Sequence, residues 1–227
     1  MNTDLIDIKI RAVEGGVTAA AGFKAAGIHA GFRKNPERLD YALVVPDKPC
    51  SGAGVFTTNR FCAAPVQVSR ANLGGADKGY GIIAGVSINS GNANAATGEP
   101  GLRCAEKACA LVAQALNCDE RDVLVASTGV IGVQLPFEPY VTGVPAIVDA
   151  LAATPAAAHD AACAVMTTDT HSKEAAFAGP APQADGSSVT VHVGGFVKGS
   201  GMIQPNMATM LCVLSTDAPL TPEAAHA

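Results

Sequence analysis

A glycine-rich segment near the end of the chain carries the residues best suited to chemistry. Residues 198–211 read KGSGMIQPNMATML, with a lysine at the start and a threonine at position 209. A threonine hydroxyl is a weak nucleophile unless a base lies beside it, and the free α-amine of an N-terminal threonine can be that base. The segment therefore raises the hypothesis that the Ala208–Thr209 bond is cut to create this amine. A second interpretation stays open. Residues 198–201 would form a tight turn whose backbone N–H groups bind an anion, and Thr209 would be an ordinary strand residue.

Other sequence signals of catalysis or metal binding are absent. The chain has no P-loop, no G-x-S-x-G nucleophile elbow, and no third glycine to complete a dinucleotide loop after Gly199 and Gly201. Its seven cysteines lack C-x-x-C spacing, which predicts reduced thiols that pack as small apolar side chains. The histidines lack helical metal-ligand spacing, so we expect surface or core roles for His29, His159, His171, His192 and His226. We therefore predict neither a metal site nor a bound cofactor.

Composition narrows the class of protein. Of the 227 residues, 48% are hydrophobic and 15% are charged, which is typical of a folded chain rather than a disordered one. The net charge is −5 and the basic residues are scattered, so a nucleic-acid-binding surface is not expected. No apolar run reaches the roughly 18 residues that a membrane helix needs, and residues 1–9 lack the apolar stretch of a signal peptide. These features predict a soluble, cytoplasmic protein without membrane or nucleic-acid partners.

Hydrophobic patterns predict strands and helices that alternate along the chain. We expect strands at 41–45, 54–60, 65–69, 80–89, 122–126, 189–193 and 211–215. Apolar residues at helical spacing predict a helix over 101–116, and alanine-rich stretches predict helices at 145–153 and 155–166. Polar, glycine-containing loops follow several strands. The pattern favours an α/β fold with some α+β character, in which mixed β-sheets are layered with helices and the site lies at strand ends.

The C-terminus begins a helix that the chain does not continue. Thr221 is a good N-cap and Pro222 suits the first helical position, but fewer than two turns follow. A helix this short buries almost nothing. We therefore expect a truncated chain.

Four further segments occur in a fixed order before the glycine-rich one. They read FTTNRFCAAPV at 56–66, NSGNANA at 89–95, STGVIG at 127–132 and MTTDT at 166–170. Together with residues 198–211 they resemble the motifs of the glutamate N-acetyltransferase family, also called ornithine acetyltransferase or ArgJ. The resemblance runs from about residue 16 to residue 217. It implies an ArgJ/DmpA-like self-cleaving fold.

The resemblance also assigns roles to residues. Thr209 would be the nucleophile that first cleaves the Ala208–Thr209 bond and then carries acetyl from N-acetylornithine to glutamate in a ping-pong cycle. Thr128 and Gly129 match the oxyanion hole, as a hydroxyl and a backbone N–H. Lys198, Thr209 and one threonine of the pair Thr167 and Thr168 match substrate-binding positions. No cofactor is implied, and acetyl-CoA stays open as a second acetyl donor.

The resemblance further implies a heterotetramer of two α and two β chains. Residues 1–208 would form the α-chain region, and residues 209–227 would be the start of a β-chain region. Family members are about twice as long, so the substrate contacts that they draw from the β chain have no counterpart here. Two alternatives stay open: a related self-cleaving N-terminal-nucleophile aminopeptidase or amidohydrolase, in which water replaces glutamate, and an inactive truncated product.

Overall fold

A computed structural model describes residues 10–75, 77–183, 185–199 and 210–227. Its helices are α1 Ala64–Asn72, α2 Gly98–Leu116, α3 Glu138–Asp149, α4 Pro155–Ala164 and α5 Pro222–His226. Its strands are β1 Arg11–Val13, β2 Phe23–Ile28, β3 Tyr41–Pro46, β4 Cys50–Ala53, β5 Tyr80–Ile83, β6 Gly85–Asn92, β7 Val123–Val130, β8 Glu174–Pro182, β9 Ser188–Lys198 and β10 Leu211–Thr216. Short 3-10 helices occupy Gly16–Thr18 and Glu120–Asp122. No helix in these ranges is long and apolar enough to cross a membrane.

A mixed sheet with the order β2-β3-β6-β7 forms the centre of the molecule. Strand β3 pairs antiparallel with β2 and β6, whereas β6 and β7 run parallel and are joined by the long helix α2. Parallel neighbours need such a crossover connection. All of β3 except Val45 is buried, which explains its continuous apolar sequence.

The two faces of the central sheet carry separate hydrophobic cores. One core joins Tyr41 and Leu43 to helices α1, α2 and α3, with Val112 and Val144 fully buried. The other lies on the opposite face, where the alanines of α4 pack with Val44 and with Phe196 of β9. Small side chains let α4 approach the sheet closely: a Cβ on Gly27 of β2 would lie 2.1 Å from the carbonyl oxygen of Asp160. The alanine-rich composition thus makes this close packing possible.

A second, antiparallel sheet has the order β1-β8-β9-β10. Its register pairs Lys198, the last residue of β9, with Leu211, the first residue of β10. The glycine-rich segment connects these two strands. Its first and last residues therefore lie side by side, where β9 ends and β10 begins. The antiparallel strands β4 and β5, which α1 separates in the chain, form a third sheet. The ring of His226 in α5 packs on Tyr80 of this sheet at a centroid distance of 5.6 Å.

The predicted fold class is confirmed: mixed sheets are layered with helices. Strands at 41–45, 122–126, 189–193 and 211–215 form nearly where expected, and so do the helices predicted at 101–116 and 155–166. Helix α2 buries Ala105, Cys109 and Val112 on one face, as the spacing indicated. At the C-terminus, Thr221 Oγ1 accepts a hydrogen bond from the backbone N–H of Ala224, as expected of an N-cap.

Four element predictions were wrong. Residues 54–60 are irregular, and the strand lies earlier, in β4. Residues 65–69 are helical because Pro65 suits the first turn of α1, and burial of Val68 and Ser69 gives a helical face. The run at 80–89 is two strands in different sheets, separated at Ala84. The helix predicted at 145–153 begins earlier, since α3 covers Glu138–Asp149 and includes Pro145.

Candidate functional site

Lys198 lies at the centre of a polar cluster where three parts of the chain meet. Its side chain enters from the end of β9 and is only 5% exposed. The ammonium donates to Thr128 Oγ1 on β7 at 2.9 Å and to Thr167 Oγ1, in the turn after α4, at 2.8 Å. Burial lowers the pKa of Lys198, with the carboxylate of Asp169 acting in the opposite direction. The site therefore holds a desolvated cation between two hydroxyl groups.

Asp169 connects the turn at 166–170 to the start of the glycine-rich segment. Its Oδ1 accepts from the Lys173 ammonium at 2.6 Å and from the backbone N–H of Gly199 at 3.0 Å. Its Oδ2 accepts from the backbone N–H of Thr167 at 3.1 Å. Burial acts to raise the pKa of Asp169, but these hydrogen bonds outweigh it and hold the pKa well below the usual carboxyl range. Asp169 is therefore a fixed anion that anchors both segments.

Thr128 and Gly129 lie where β7 passes very close to β6. Gly129 pairs with Gly91, and a Cβ on Gly129 would lie 2.3 Å from the carbonyl carbon of Gly91. The φ angle of Gly129 is +138°, a conformation that L side chains rarely adopt. Only glycine satisfies both conditions at this position. The close approach sets the path of the chain at the end of β7, beside Thr128.

Arg33 also holds the turn at 166–170. Its guanidinium donates to Ser90 Oγ at 3.1 Å and to the carbonyl oxygen of Met166. Ser90 Oγ in turn donates to the carbonyl oxygen of Ala164 at 2.6 Å. The loop that carries Arg33 is fixed by the fully buried Asp40, whose carboxylate accepts from the backbone N–H of Arg33 at 2.8 Å. Arg33 thereby positions the turn that contains Thr167.

The asparagine-rich segment at the end of β6 supports the same region. Asn89 Oδ1 accepts from Ser127 Oγ at 2.5 Å and from Tyr140 Oη at 3.0 Å. Asn92 Oδ1 accepts from the backbone N–H of Asn94 at 2.7 Å. These amides are buried, and their hydrogen bonds fix the loop after β6 to β7 and α3. We assign this motif a structural role.

The structure brings three of the predicted site residues into direct contact: Thr128, Thr167 and Lys198. Gly129 directly follows Thr128, and Thr168 is an exposed member of the same turn as Thr167. Of the threonine pair, it is the Thr167 hydroxyl that the Lys198 ammonium contacts. Ala208 and Thr209 lie outside the described residues, although Leu211, two positions beyond Thr209, pairs with Lys198. Within the described ranges, no group of three His, Cys, Asp or Glu side chains is placed to hold a metal ion.

Two residues of this cluster received no role from the sequence. Asp169 stands within the MTTDT motif, where a carboxylate beside two threonines was the available signal. Arg33 gave no local signal, because its partner Met166 lies 133 positions away in the chain. Only the folded structure brings the two together.

Comparisons with known proteins agree with the predicted resemblance. A family model described as the ArgJ family matches residues 24–227. The chain is 45% identical over 206 residues to the maize arginine biosynthesis bifunctional protein ArgJ, chloroplastic, covering 91% of this chain and 42% of that protein. It is 47% identical over 203 residues to the arginine biosynthesis bifunctional protein ArgJ of Bifidobacterium longum, covering 89% of this chain and 49% of the relative. The chain thus spans about half the length of the curated relatives it matches.

Two solved structures share the fold. The arginine biosynthesis bifunctional protein of Bacillus halodurans superposes with a TM-score of 0.77 at 36% identity, covering 90% of this chain and 100% of the solved chain. Ornithine acetyltransferase of Mycobacterium tuberculosis, solved as a complex with ornithine, gives a TM-score of 0.71 at 35% identity, covering 89% of this chain and 100% of the solved chain. Because the family model covers most of its length, the chain belongs to the ArgJ family.

Proposed function

We propose that this chain provides the nucleophile and the oxyanion hole of a glutamate N-acetyltransferase of arginine biosynthesis, which moves acetyl from N2-acetyl-L-ornithine to L-glutamate. The observation that carries the proposal is the buried Lys198 ammonium held between Thr128 and Thr167 at the edge where the glycine-rich segment begins and ends. Family membership and the ornithine complex of the related M. tuberculosis enzyme support the substrate class.

The first step of the proposed function is self-cleavage. The Thr209 hydroxyl attacks the carbonyl carbon of Ala208, the C–N bond breaks, and the acyl group moves to oxygen as an ester. The amide nitrogen takes the hydroxyl proton and becomes the free α-amine of Thr209, and water then hydrolyses the ester to the carboxylate of Ala208 and the hydroxyl of Thr209. Such an amine has a pKa near 7.7–8.0, so at neutral pH its unprotonated fraction can accept the hydroxyl proton in the next step.

The second step is acetyl transfer through Thr209. Its hydroxyl takes acetyl from N-acetylornithine, ornithine leaves, and glutamate then accepts the acetyl group. Negative charge develops on the acetyl oxygen, and the Thr128 hydroxyl and the Gly129 N–H are the proposed donors to it. Because the Lys198 ammonium donates to Thr128 Oγ1, the Thr128 proton becomes a stronger donor toward that charge.

Lys198 and Thr167 also suit substrate binding. An ammonium is a point charge that attracts the carboxylate of either amino-acid substrate. Its burial strengthens that attraction, because the surrounding dielectric is low. Asp169, held by three hydrogen bonds, keeps the turn in place while a substrate enters.

Several features of the function stay predictions. They are the heterotetramer of α and β chains with its division at residue 209, acetyl-CoA as a second acetyl donor, and the absence of any bound cofactor. Cytoplasmic location is likewise a prediction, and the maize relative is named as chloroplastic.

The test begins with the intact mass of the native protein expressed from its full reading frame. We expect a break between Ala208 and Thr209 in the wild type and in Thr209→Ser, which keeps a hydroxyl nucleophile, and an unbroken chain in Thr209→Ala. Transfer of labelled acetyl from N-acetylornithine to glutamate should likewise occur in the wild type and in Thr209→Ser and be lost in Thr209→Ala. An uncut wild type would overturn the self-cleavage step. If ornithine is released as fast without glutamate as with it, water is the acceptor, and the N-terminal-nucleophile amidohydrolase is favoured instead.

A further inference from the structure

A cysteine, a histidine and a glutamate form a hydrogen-bonded chain away from the Lys198 cluster. His159 and Cys163 lie one turn apart on α4 and so project from the same face. Cys163 Sγ is 3.5 Å from His159 Nε2. His159 Nδ1 is 2.5 Å from Oε1 of Glu174, the first residue of β8. Among the described cysteines, Cys163 is the one whose thiol contacts a histidine ring.

The hydrogen bonds determine the direction of proton transfer. A carboxylate can only accept, so Nδ1 of His159 carries a proton and donates it to Glu174. In the neutral ring, Nε2 is then the acceptor, and the thiol donates to it. Nucleophile, base and orienting carboxylate are thereby arranged as in catalytic triads. In the part of the chain that the structure describes, no group of three potential ligands is placed to hold a metal ion, so the arrangement favours thiol chemistry over metal binding.

The surroundings of Cys163 indicate how its thiol would react. Burial raises the pKa of Cys163, a hydrogen bond with Ser172 opposes that change, and the charges of Glu174 and Asp160 add to the increase. The thiol is therefore protonated at rest and needs a base at the moment of attack, which His159 is placed to supply. The two carboxylates also repel anionic reagents. A small uncharged electrophile is the reagent that these surroundings admit.

We propose that Cys163 is a modification site at which hydrogen peroxide oxidises the thiol to a sulfenic acid with His159 as general base and Glu174 as its orienting partner. The thiol proton passes to His159 Nε2 as sulfur attacks the nearer peroxide oxygen. The O–O bond breaks, and the departing hydroxide takes the proton from His159 and leaves as water. Sulfur loses two electrons and the peroxide gains them, so the step balances.

The cysteines of the same molecule provide internal controls. Cys212 is exposed and has no histidine partner in the described ranges, while Cys109 is buried and burial raises its pKa to about 12. If exposure alone set the rate, Cys212 would react faster than the half-buried Cys163. If His159 sets the rate instead, Cys163 reacts faster than Cys212.

The experiment treats the native protein with hydrogen peroxide, traps sulfenic acid with dimedone and measures each cysteine by peptide mass spectrometry. We expect Cys163 to react at least about tenfold faster than Cys212, a conservative figure for general-base assistance. His159→Gln should reduce the Cys163 rate to that of Cys212 or below it, and Glu174→Gln should give a rate between those of the wild type and His159→Gln. An unchanged Cys212 rate in both variants shows that the fold is retained. Equal rates for the two cysteines in the wild type, or a Cys163 rate that His159→Gln leaves unchanged, would overturn the proposal.

Discussion

Replacing Gly129 by alanine tests whether the close approach of β6 and β7 shapes the end of β7 beside Thr128. At φ +138°, an L side chain is strained by about 1–3 kcal/mol. The new Cβ would also lie 2.3 Å from the carbonyl carbon of Gly91 and 2.5 Å from its oxygen. These are backbone atoms that cannot rotate away, so the strands must separate, at a further cost of about 1–3 kcal/mol. We expect Gly129→Ala to lower the free energy of unfolding by about 2–6 kcal/mol.

Gly132 offers a matched control three residues further along the chain. Its φ is +80°, but nothing lies within 4 Å of an added Cβ. Gly132→Ala should therefore carry only the backbone strain, about 1–2 kcal/mol. Urea unfolding followed by circular dichroism measures both variants. Losses that agree within about 0.5 kcal/mol would refute the reasoning, because the steric contribution at Gly129 would then be missing.

Under the proposed function, separation of the strands would also affect acetyl transfer. Thr128 is hydrogen bonded to Lys198 at 2.9 Å, and a shift of β7 would lengthen this contact. Under conditions where Gly129→Ala remains folded, acetyl transfer should fall more than in Gly132→Ala. Equal rates in the two folded variants would argue against Gly129 as part of the oxyanion hole.

Variants at three residues test the polar cluster. Lys198→Met should lower kcat/KM for acetyl transfer by roughly 30-fold or more, the equivalent of about 2 kcal/mol for one partner of a buried charged contact. Its unfolding free energy should change less, since burial already disfavours the ammonium. Thr167→Val leaves that ammonium with one fewer acceptor and should destabilise the fold by about 1–3 kcal/mol in urea melts, whereas Thr167→Ser should restore most of the loss. Asp169 has a pKa below its usual range, so its stabilisation is complete above about pH 4 and is lost as the pH falls further. Asp169→Asn should therefore be less stable than the wild type at pH 7, and thermal melts should show the difference shrinking toward pH 2; an equal difference at both pH values would contradict the assignment.

Local patterns predicted those elements whose burial follows a simple period. The face of α2 that carries Ala105, Cys109 and Val112 could be found because a helix exposed on one side repeats its apolar residues every three to four positions. Residues 65–69 were misleading because alternating valines resemble a strand. Only the packing of α1 against β7 and α2 made Pro65, Val68 and Ser69 the buried residues of this stretch. The run at 80–89 is continuous in sequence, yet β5 pairs with β4 while β6 pairs with β3 and β7. Strand pairing is a long-range choice that a local pattern does not encode.

The sequence by itself determined the family and the fold class and named Thr128, Gly129, Lys198 and the pair Thr167 and Thr168 as candidates, because short motifs in a set order carry that information without coordinates. Only the tertiary structure decided that Lys198 contacts Thr128 and Thr167, 70 and 31 positions away, and that Asp169 and Arg33 hold the same turn. It alone brought Glu174 to His159 and Cys163. Hydrogen bonds and ionic contacts act over a few ångströms, and which groups come within that range depends on strand order, register and the close packing of α4.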